Sequence, residues 1–148
     1  MAIDNPQSPQ PRTCSITEAL EIVGDRYTLL VLREIFFGNV RFSVIAENTG
    51  APRDVLTARL RKLEEAGMIE RREYQENPPR HEYLPTQSAK DFYPVLHAIR
   101  QWGDDHCWDA ADQIPVAFKH DCGAHVTVDV TCRQCGETIT PGSVEVVS

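Results

Sequence analysis

The 148-residue chain has no long hydrophobic run, no apolar leader and no catalytic signature. Its longest apolar stretch, around residues 29–32, falls far short of the ~20 residues that a membrane span needs. The opening MAIDNPQSPQPRT is polar and proline-rich, without the apolar centre of a secretion signal. A cytoplasmic protein with no membrane partner is therefore expected. Absence of G-x-S-x-G, of a Walker loop and of H-E-x-x-H leads us to expect no enzyme. Positive charge is also short: 15 Lys and Arg face 22 Asp and Glu, a formal net of −7. Five cysteines, an odd number without a secretory leader, argue against a disulfide framework. Reduced thiols, metal ligands or a redox switch remain.

What charge there is lies unevenly. Residues 26–62 hold seven basic side chains (Arg26, Arg33, Arg41, Arg53, Arg59, Arg61, Lys62) against three acidic ones (Glu34, Glu47, Asp54), a net of +4. Residues 88–148 hold four basic against nine acidic, a net of −5. Nucleic-acid affinity depends on phosphates neutralised locally, and charges beyond roughly 10 Å are largely screened at physiological salt. An acidic chain with a basic face is compatible with DNA.

The basic region leads into the most ordered pattern of the chain, residues 50–83, GAPRDVLTARLRKLEEAGMIERREYQENPPRHEY. Leu56, Leu60 and Leu63 fall four and three apart, on one face of a helix. Pro52 suits a first helical position, and Gly67 suits the stop. The outward face carries Arg53, Thr57, Ala58, Arg61 and Lys62. A strand over 68–74, a proline-containing loop and a strand over 80–84 follow. A basic helix followed by a charged hairpin is the pattern of a winged helix that reads DNA.

Upstream, residues 1–12 read as a disordered arm. Ser15 and Glu18 fit a capping box that opens a helix ending at Gly24. Residues 27–37 form a second helix, apolar over most of its circumference and so central to a core. Gly38-Asn39 is a turn, and Arg41-Phe42 a short strand. Ser43 caps a third helix over 44–48, and Thr49-Gly50-Ala51 turns into the basic helix. Two short helices joined by a glycine turn form a helix-turn-helix, whose second member enters the major groove. Arg53 and Thr57 are best placed for base edges, with Arg61 one turn on. Arg71, Arg72, Arg80 and His81 of the hairpin would follow the backbone or the adjacent minor groove.

Residues 88–108 predict a long helix interrupted only by Pro94, with Phe92, Val95, Leu96, Ile99 and Trp102 apolar. This exceeds what a small domain needs for its own core. Half-sites of an operator lie about 34 Å apart, so a two-fold dimer on a palindromic operator is expected, built from this helix and the first. Tyr27, Phe92, Leu96 and Trp102 are candidates for a small-molecule pocket where the dimer helices meet the core.

The tail repeats a different chemistry. Cys132-x-x-Cys135-Gly136 has zinc-knuckle spacing, and Cys122-Gly123-Ala124-His125 supplies a second pair, with His120 as an alternative ligand. Residues 126–130 alternate as a strand, so the segment reads as a miniature zinc ribbon. Six residues between the pairs is short for a ribbon, and a disulfide or a metal-free hairpin stays open.

The run from Cys14 to Trp102 resembles the HxlR-type winged-helix regulators of the MarR-like superfamily. The resemblance is carried by ALEIVGDRYTLLVLREI, by Val55-Leu56-Thr57-Ala58-Arg59-Leu60 with Leu63-Glu64, and by Glu73-Tyr74 followed by Asn77-Pro78-Pro79-Arg80-His81-Glu82-Tyr83. Tyr93-Pro94-Val95-Leu96 and Gln101-Trp102-Gly103 complete it. It implies a dimeric DNA-binding repressor or activator, several relatives of which answer to electrophiles, oxidants or small ligands. In some members a cysteine just before the first helix is the sensing thiol. Cys14 holds that position, although the usual following proline is Ser15 here. The tail resembles extensions of some actinobacterial-type members.

Together these readings predict an α+β, mainly helical chain. A winged helix-turn-helix with N- and C-terminal dimerisation helices would fill residues 13–110, and a Cys/His hairpin tail, a possible zinc site, residues 111–148. The expected function is sequence-specific repression relieved by a thiol-reactive or apolar small molecule, with double-stranded DNA, a second copy and that effector as partners. The alternative is a metal-binding interaction module whose helix-turn-helix no longer binds DNA.

Overall fold

A computed structural model describes residues 11–108 and 116–147. The arm expected over 1–12 lies outside the described residues except for Pro11 and Arg12, which carry no regular structure. The chain divides into two compact units, Met1–Lys90 and Asp91–Ser148.

The first unit contains α1 (Ser15–Val23), α2 (Arg26–Phe36), α3 (Phe42–Thr49), α4 (Arg53–Glu65), β1 (Ile69–Gln75) and β2 (Arg80–Pro85). Its centre is α2, whose Val31, Leu32 and Ile35 are buried with Ile45 of α3 and Leu56, Leu60 and Leu63 of α4. The leucines four and three apart thus face inward as one stripe. Fully burying a side chain of this kind contributes about 1.5–3 kcal/mol.

Local chemistry sets each boundary. Asp25 opens α2 by accepting hydrogen bonds from the N–H groups of Tyr27 (2.9 Å) and Thr28 (3.4 Å). The expected capping box at Ser15 does not form. Helix α1 begins one residue earlier, at Ser15, and Cys14 is the N-cap, its Sγ accepting from Thr17 N–H at 3.4 Å. Ser43 is likewise not a cap: α3 already starts at Phe42, with Arg41 as N-cap and no side-chain bond closing the end. Gly50, at φ 67°, makes the left-handed turn between α3 and α4 that an L side chain would strain. Pro52 is the N-cap of α4 rather than its first residue.

Antiparallel β1 and β2 pair from Ile69 opposite Pro85 to Gln75 opposite Arg80, with an irregularity between Glu73 and Gln75. The short strand expected at Arg41-Phe42 shrinks to one residue. Arg41 bridges Glu82, and Tyr83 N–H donates to Val40 C=O at 2.8 Å. Thr86 closes the hairpin base, its hydroxyl donating within reach of the carbonyls of Gly67 (2.6 Å) and Met68 (3.0 Å).

The long helix α5 (Gln87–His106) contains Pro94 as expected and spans the boundary between units. Within the second unit, hydrogen bonds join α5 directly to the tail. Gln101 Oε1 accepts from Val128 N–H (2.7 Å) while its Nε2 donates to Val128 C=O (3.0 Å). Arg100 Nη2 donates to Val126 C=O at 2.8 Å. Residues 126–130 consequently form no sheet strand, because helix side chains take the main-chain groups that a ladder would use. Isolated bridges join Lys119 to His125 and Thr131 to Thr138, and a 3-10 turn covers Pro141–Ser143.

Candidate nucleic-acid interface

The burial of Leu56, Leu60 and Leu63 turns the opposite face of α4 to solvent. Arg53, Thr57, Ala58, Arg61 and Lys62 are all exposed there. Arg53, Thr57 and Arg61 recur every fourth residue and so make one stripe along the helix. Thr57 donates its hydroxyl to Arg53 C=O at 2.8 Å, which leaves its oxygen lone pairs available as acceptors.

Beside the start of α4 lies a cleft of about 490 Å³, lined by Arg41, Phe42, Ser43 and Arg53 on one side and by Tyr74, Arg80 and His81 of the hairpin on the other. Four of the residues expected from sequence to meet DNA (Ser43, Arg53, Arg80 and His81) are thus gathered around one opening. Two of its guanidiniums rest on aromatic rings, Arg53 at 4.8 Å from the Phe42 centroid and Arg41 at 4.6 Å from that of Tyr74. Arg41 was absent from the sequence-based DNA set. The signal available for it, a basic residue just before a helix-turn-helix, becomes specific only once β2 pairs beside it.

Arg71 and Arg72, which the sequence also points to, are occupied. Arg71 Nε lies 3.8 Å from Glu64, and Arg72 Nε donates to Glu82 Oε1 at 2.9 Å with a second contact from Nη2. Such exposed pairs contribute about 0–1 kcal/mol, so they compete weakly with a phosphate, but they start engaged. Among the described residues no ion pair reaches Arg41, Arg53, Arg61 or Arg80. His81 Nε2 is 3.7 Å from Glu73.

Two buried or half-buried carboxylates hold this surface in place. Asp25 receives Arg59 in a two-pronged pair, Nε to Oδ1 at 2.8 Å and Nη2 to Oδ2 at 3.1 Å, which ties α4 to the start of α2. Glu34 is buried and accepts from Asn39 and Asn48, each at 2.8 Å, and from Arg33 at 2.9 Å. Burial alone would raise the Glu34 pKa, but the bonds from Asn48, Asn39 and Arg33 outweigh it and hold the carboxyl below the ordinary glutamate range. The bond to Asn48 fixes the end of α3 that leads into the recognition turn.

The thiols divide. Cys14 is exposed at the start of α1, and hydrogen bonds from the Thr17 hydroxyl and N–H push its pKa down. Cys132 is also pushed down, by the N–H groups of Cys135 and Gln134 and by the Cys135 thiol. Of the residues expected as zinc ligands, Cys122, His125 and His120 lie in one turn region of the tail and Cys132 and Cys135 in another, and among the described residues no group of three or more His, Cys, Asp or Glu is placed to hold a metal ion. Gly123 N–H donates to His120 C=O in one and Gly136 N–H to Cys132 C=O in the other, both at 2.8 Å. His120 Nδ1 accepts from Cys122 N–H at 3.2 Å, inside its own turn. The four pocket candidates are not gathered within either unit: Tyr27 belongs to the first, and Phe92, Leu96 and Trp102 belong to the second. No helix among the described residues is long and apolar enough to cross a membrane.

A helix-turn-helix with an exposed basic stripe beside a two-stranded hairpin defines a winged-helix DNA-binding protein. Comparison with known proteins narrows this. A model of the HxlR-like helix-turn-helix family matches residues 22–111. An HTH-type transcriptional regulator of Mycobacterium tuberculosis is 42% identical over 131 residues, covering 88% of this chain and 82% of that protein. The crystal structure of PA1607, described as a transcription factor, matches with a TM-score of 0.80 and 30% identity over 91% of this chain and 94% of that one. The reduced form of the Bacillus subtilis transcriptional regulator YodB matches with a TM-score of 0.54 and 26% identity over 65% and 96%. The chain belongs to the HxlR-like helix-turn-helix family, and it is a DNA-binding transcriptional regulator.

Proposed function

We propose that the protein represses transcription as a homodimer on a two-fold operator and is released when Cys14 reacts with an oxidant or electrophile. The observation that carries the sensing role is the exposed Cys14 thiol at a helix N-cap, with hydrogen bonds from Thr17 that favour the reactive thiolate. YodB has been crystallised both reduced and after diamide treatment, which supports thiol chemistry as a control in proteins of this shape.

Exposed apolar side chains support the dimer. Ile16 and Leu20 of α1 lie four apart and open to solvent, as do Val95, Ile99 and Trp102 of α5, spaced four and three. Such stripes on monomeric helices mark partner surfaces. Each half-site then needs only moderate affinity, since the two copies bind as one.

The test is diamide or a quinone added to the protein bound to fluorescent duplex DNA, followed by anisotropy. Wild type should release the duplex under either reagent and regain it with dithiothreitol after diamide, whose disulfide is reducible, but not after the quinone, whose thioether is not; Cys14→Ser should stay bound. Equal release by Cys14→Ser would place the sensing thiol elsewhere. Sedimentation of both proteins should give a dimer mass; a monomer would remove the two-fold operator.

A further inference from the structure

The cleft beside α4 has a composition that base reading does not require. Three guanidiniums, those of Arg41, Arg53 and Arg80, and the imidazole of His81 line it, and among the described residues none of the three arginines has an ion pair. Like charges brought to one opening repel one another until an anion enters. Tyr74 and Phe42 hold two of the guanidiniums against their ring faces. That contact uses the π-face of the cation and leaves its coplanar N–H donors open for a bidentate oxygen ligand. Guanidinium, unlike ammonium, matches the paired oxygens of a phosphate.

We propose that this cleft seats one phosphodiester of the DNA backbone, with Arg41 as its principal cation. The proposal rests on the DNA-binding reading and divides its surface into two parts. Arg41, Arg80 and His81 form a sequence-independent anchor, and the stripe running from Arg53 through Thr57 to Arg61 reads bases. Arg53 borders both, as the first residue of α4 and part of the cleft wall. A phosphate held there fixes how deeply the start of α4 enters the groove. The arrangement favours a backbone phosphate over a free anion, because one wall is made by the starts of α3 and of the recognition helix and the other by the wing, so the opening lies where a duplex on the helix-turn-helix runs.

Anisotropy titrations over a range of KCl concentrations test it, with a duplex enriched by the wild-type chain from a random pool and a shuffled version of that duplex. Arg41→Ala should weaken both duplexes by the same factor and lower the slope of log affinity against log salt by about 0.9, the loss of one phosphate contact. Arg41→Lys should keep the slope, and Arg61→Ala should lose affinity mainly on the selected duplex. Tyr74→Leu, which keeps the charge and removes the ring, should weaken both duplexes equally, and it serves as the test if Arg41→Ala does not fold. An unchanged slope in folded Arg41→Ala, or unchanged binding by Tyr74→Leu when Arg41→Ala is unfolded, overturns the anchor and leaves DNA binding intact. Failure of the wild type to enrich any duplex overturns the DNA-binding reading and the anchor with it. Calorimetric titration with inorganic phosphate separates the two sources of the anion: saturable binding at micromolar concentration would make the cleft a small-anion pocket and overturn the backbone assignment.

Discussion

Two populations of arginine share the winged unit and behave differently. Arg33, Arg59, Arg71 and Arg72 each meet a carboxylate, those of Glu34, Asp25, Glu64 and Glu82. Arg41, Arg53, Arg61 and Arg80, on α4 and around the cleft, meet none among the described residues. Four carboxylates of the unit, those of Asp25, Glu34, Glu64 and Glu82, lie on arginines within the fold. The arginines that face outward beside the helix-turn-helix keep their charge uncompensated. This is how a chain of net charge −7 presents a surface that DNA can neutralise.

The contrast can be broken first at Glu34. Glu34→Gln removes a buried charge that three donors satisfy, and it should cost about 1.5–3 kcal/mol at pH 7 in urea unfolding. Because the folded-state pKa lies below the unfolded one, this stability is present above the ordinary glutamate range and is lost as pH falls through the depressed value. The gap between variant and wild type should therefore close on acidification. A gap that stays constant to pH 3 would mean that the carboxylate charge contributes nothing. The second substitution attacks the other population: Arg61→Ala should cost about 1–3 kcal/mol of affinity for a selected duplex, with the thermal midpoint unmoved. Loss of stability without loss of affinity would move Arg61 into the paired class.

Asp25→Ala comes third. It deletes the cap of α2 and the partner of Arg59, and the cap alone should cost about 0.5–2 kcal/mol of stability in chemical denaturation. Affinity of the folded fraction for DNA should stay within twofold, and a larger fall would give Arg59 a direct role. The smallest effect is expected at Arg72→Ala, about 0–1 kcal/mol in either stability or DNA affinity, since Arg72 holds half-buried Glu82 from the solvent side. A tenfold loss of DNA binding there would show that the Glu82 pair opens and that the wing, not the cleft, meets the backbone.

Much of this architecture was legible in the chain. Leucines at 56, 60 and 63 gave the inward face of α4, Gly67 its end and the charged alternation its hairpin, because in each case a local period or a local backbone need decides the outcome. Features that depend on a distant partner were not. Arg41 reads as one basic residue among several until Tyr83 pairs with Val40 and brings Tyr74 beneath its guanidinium. Arg71 and Arg72 look free for DNA until Glu64 and Glu82 are placed beside them. Cys14 takes the cap that Ser15 with Glu18 seemed to promise, since Sγ already reaches Thr17 N–H from one residue upstream. In the tail, equal spacing of two ligand pairs could not reveal that each pair closes a separate turn, and alternation over 126–130 could not reveal that α5 side chains take the main-chain bonds.

The Gln101 amide is a main-chain clamp. By accepting from Val128 N–H and donating to Val128 C=O, it bonds both polar groups of a single residue. Arg100 does the same for one carbonyl at Val126. These bonds read only the main chain, so the identity of the side chains at 126 and 128 does not enter them. Proline at 128, which lacks the N–H, is the exception. Positions 126 and 128 can therefore drift in sequence while keeping these bonds to α5, whereas Gln101 itself has no such freedom.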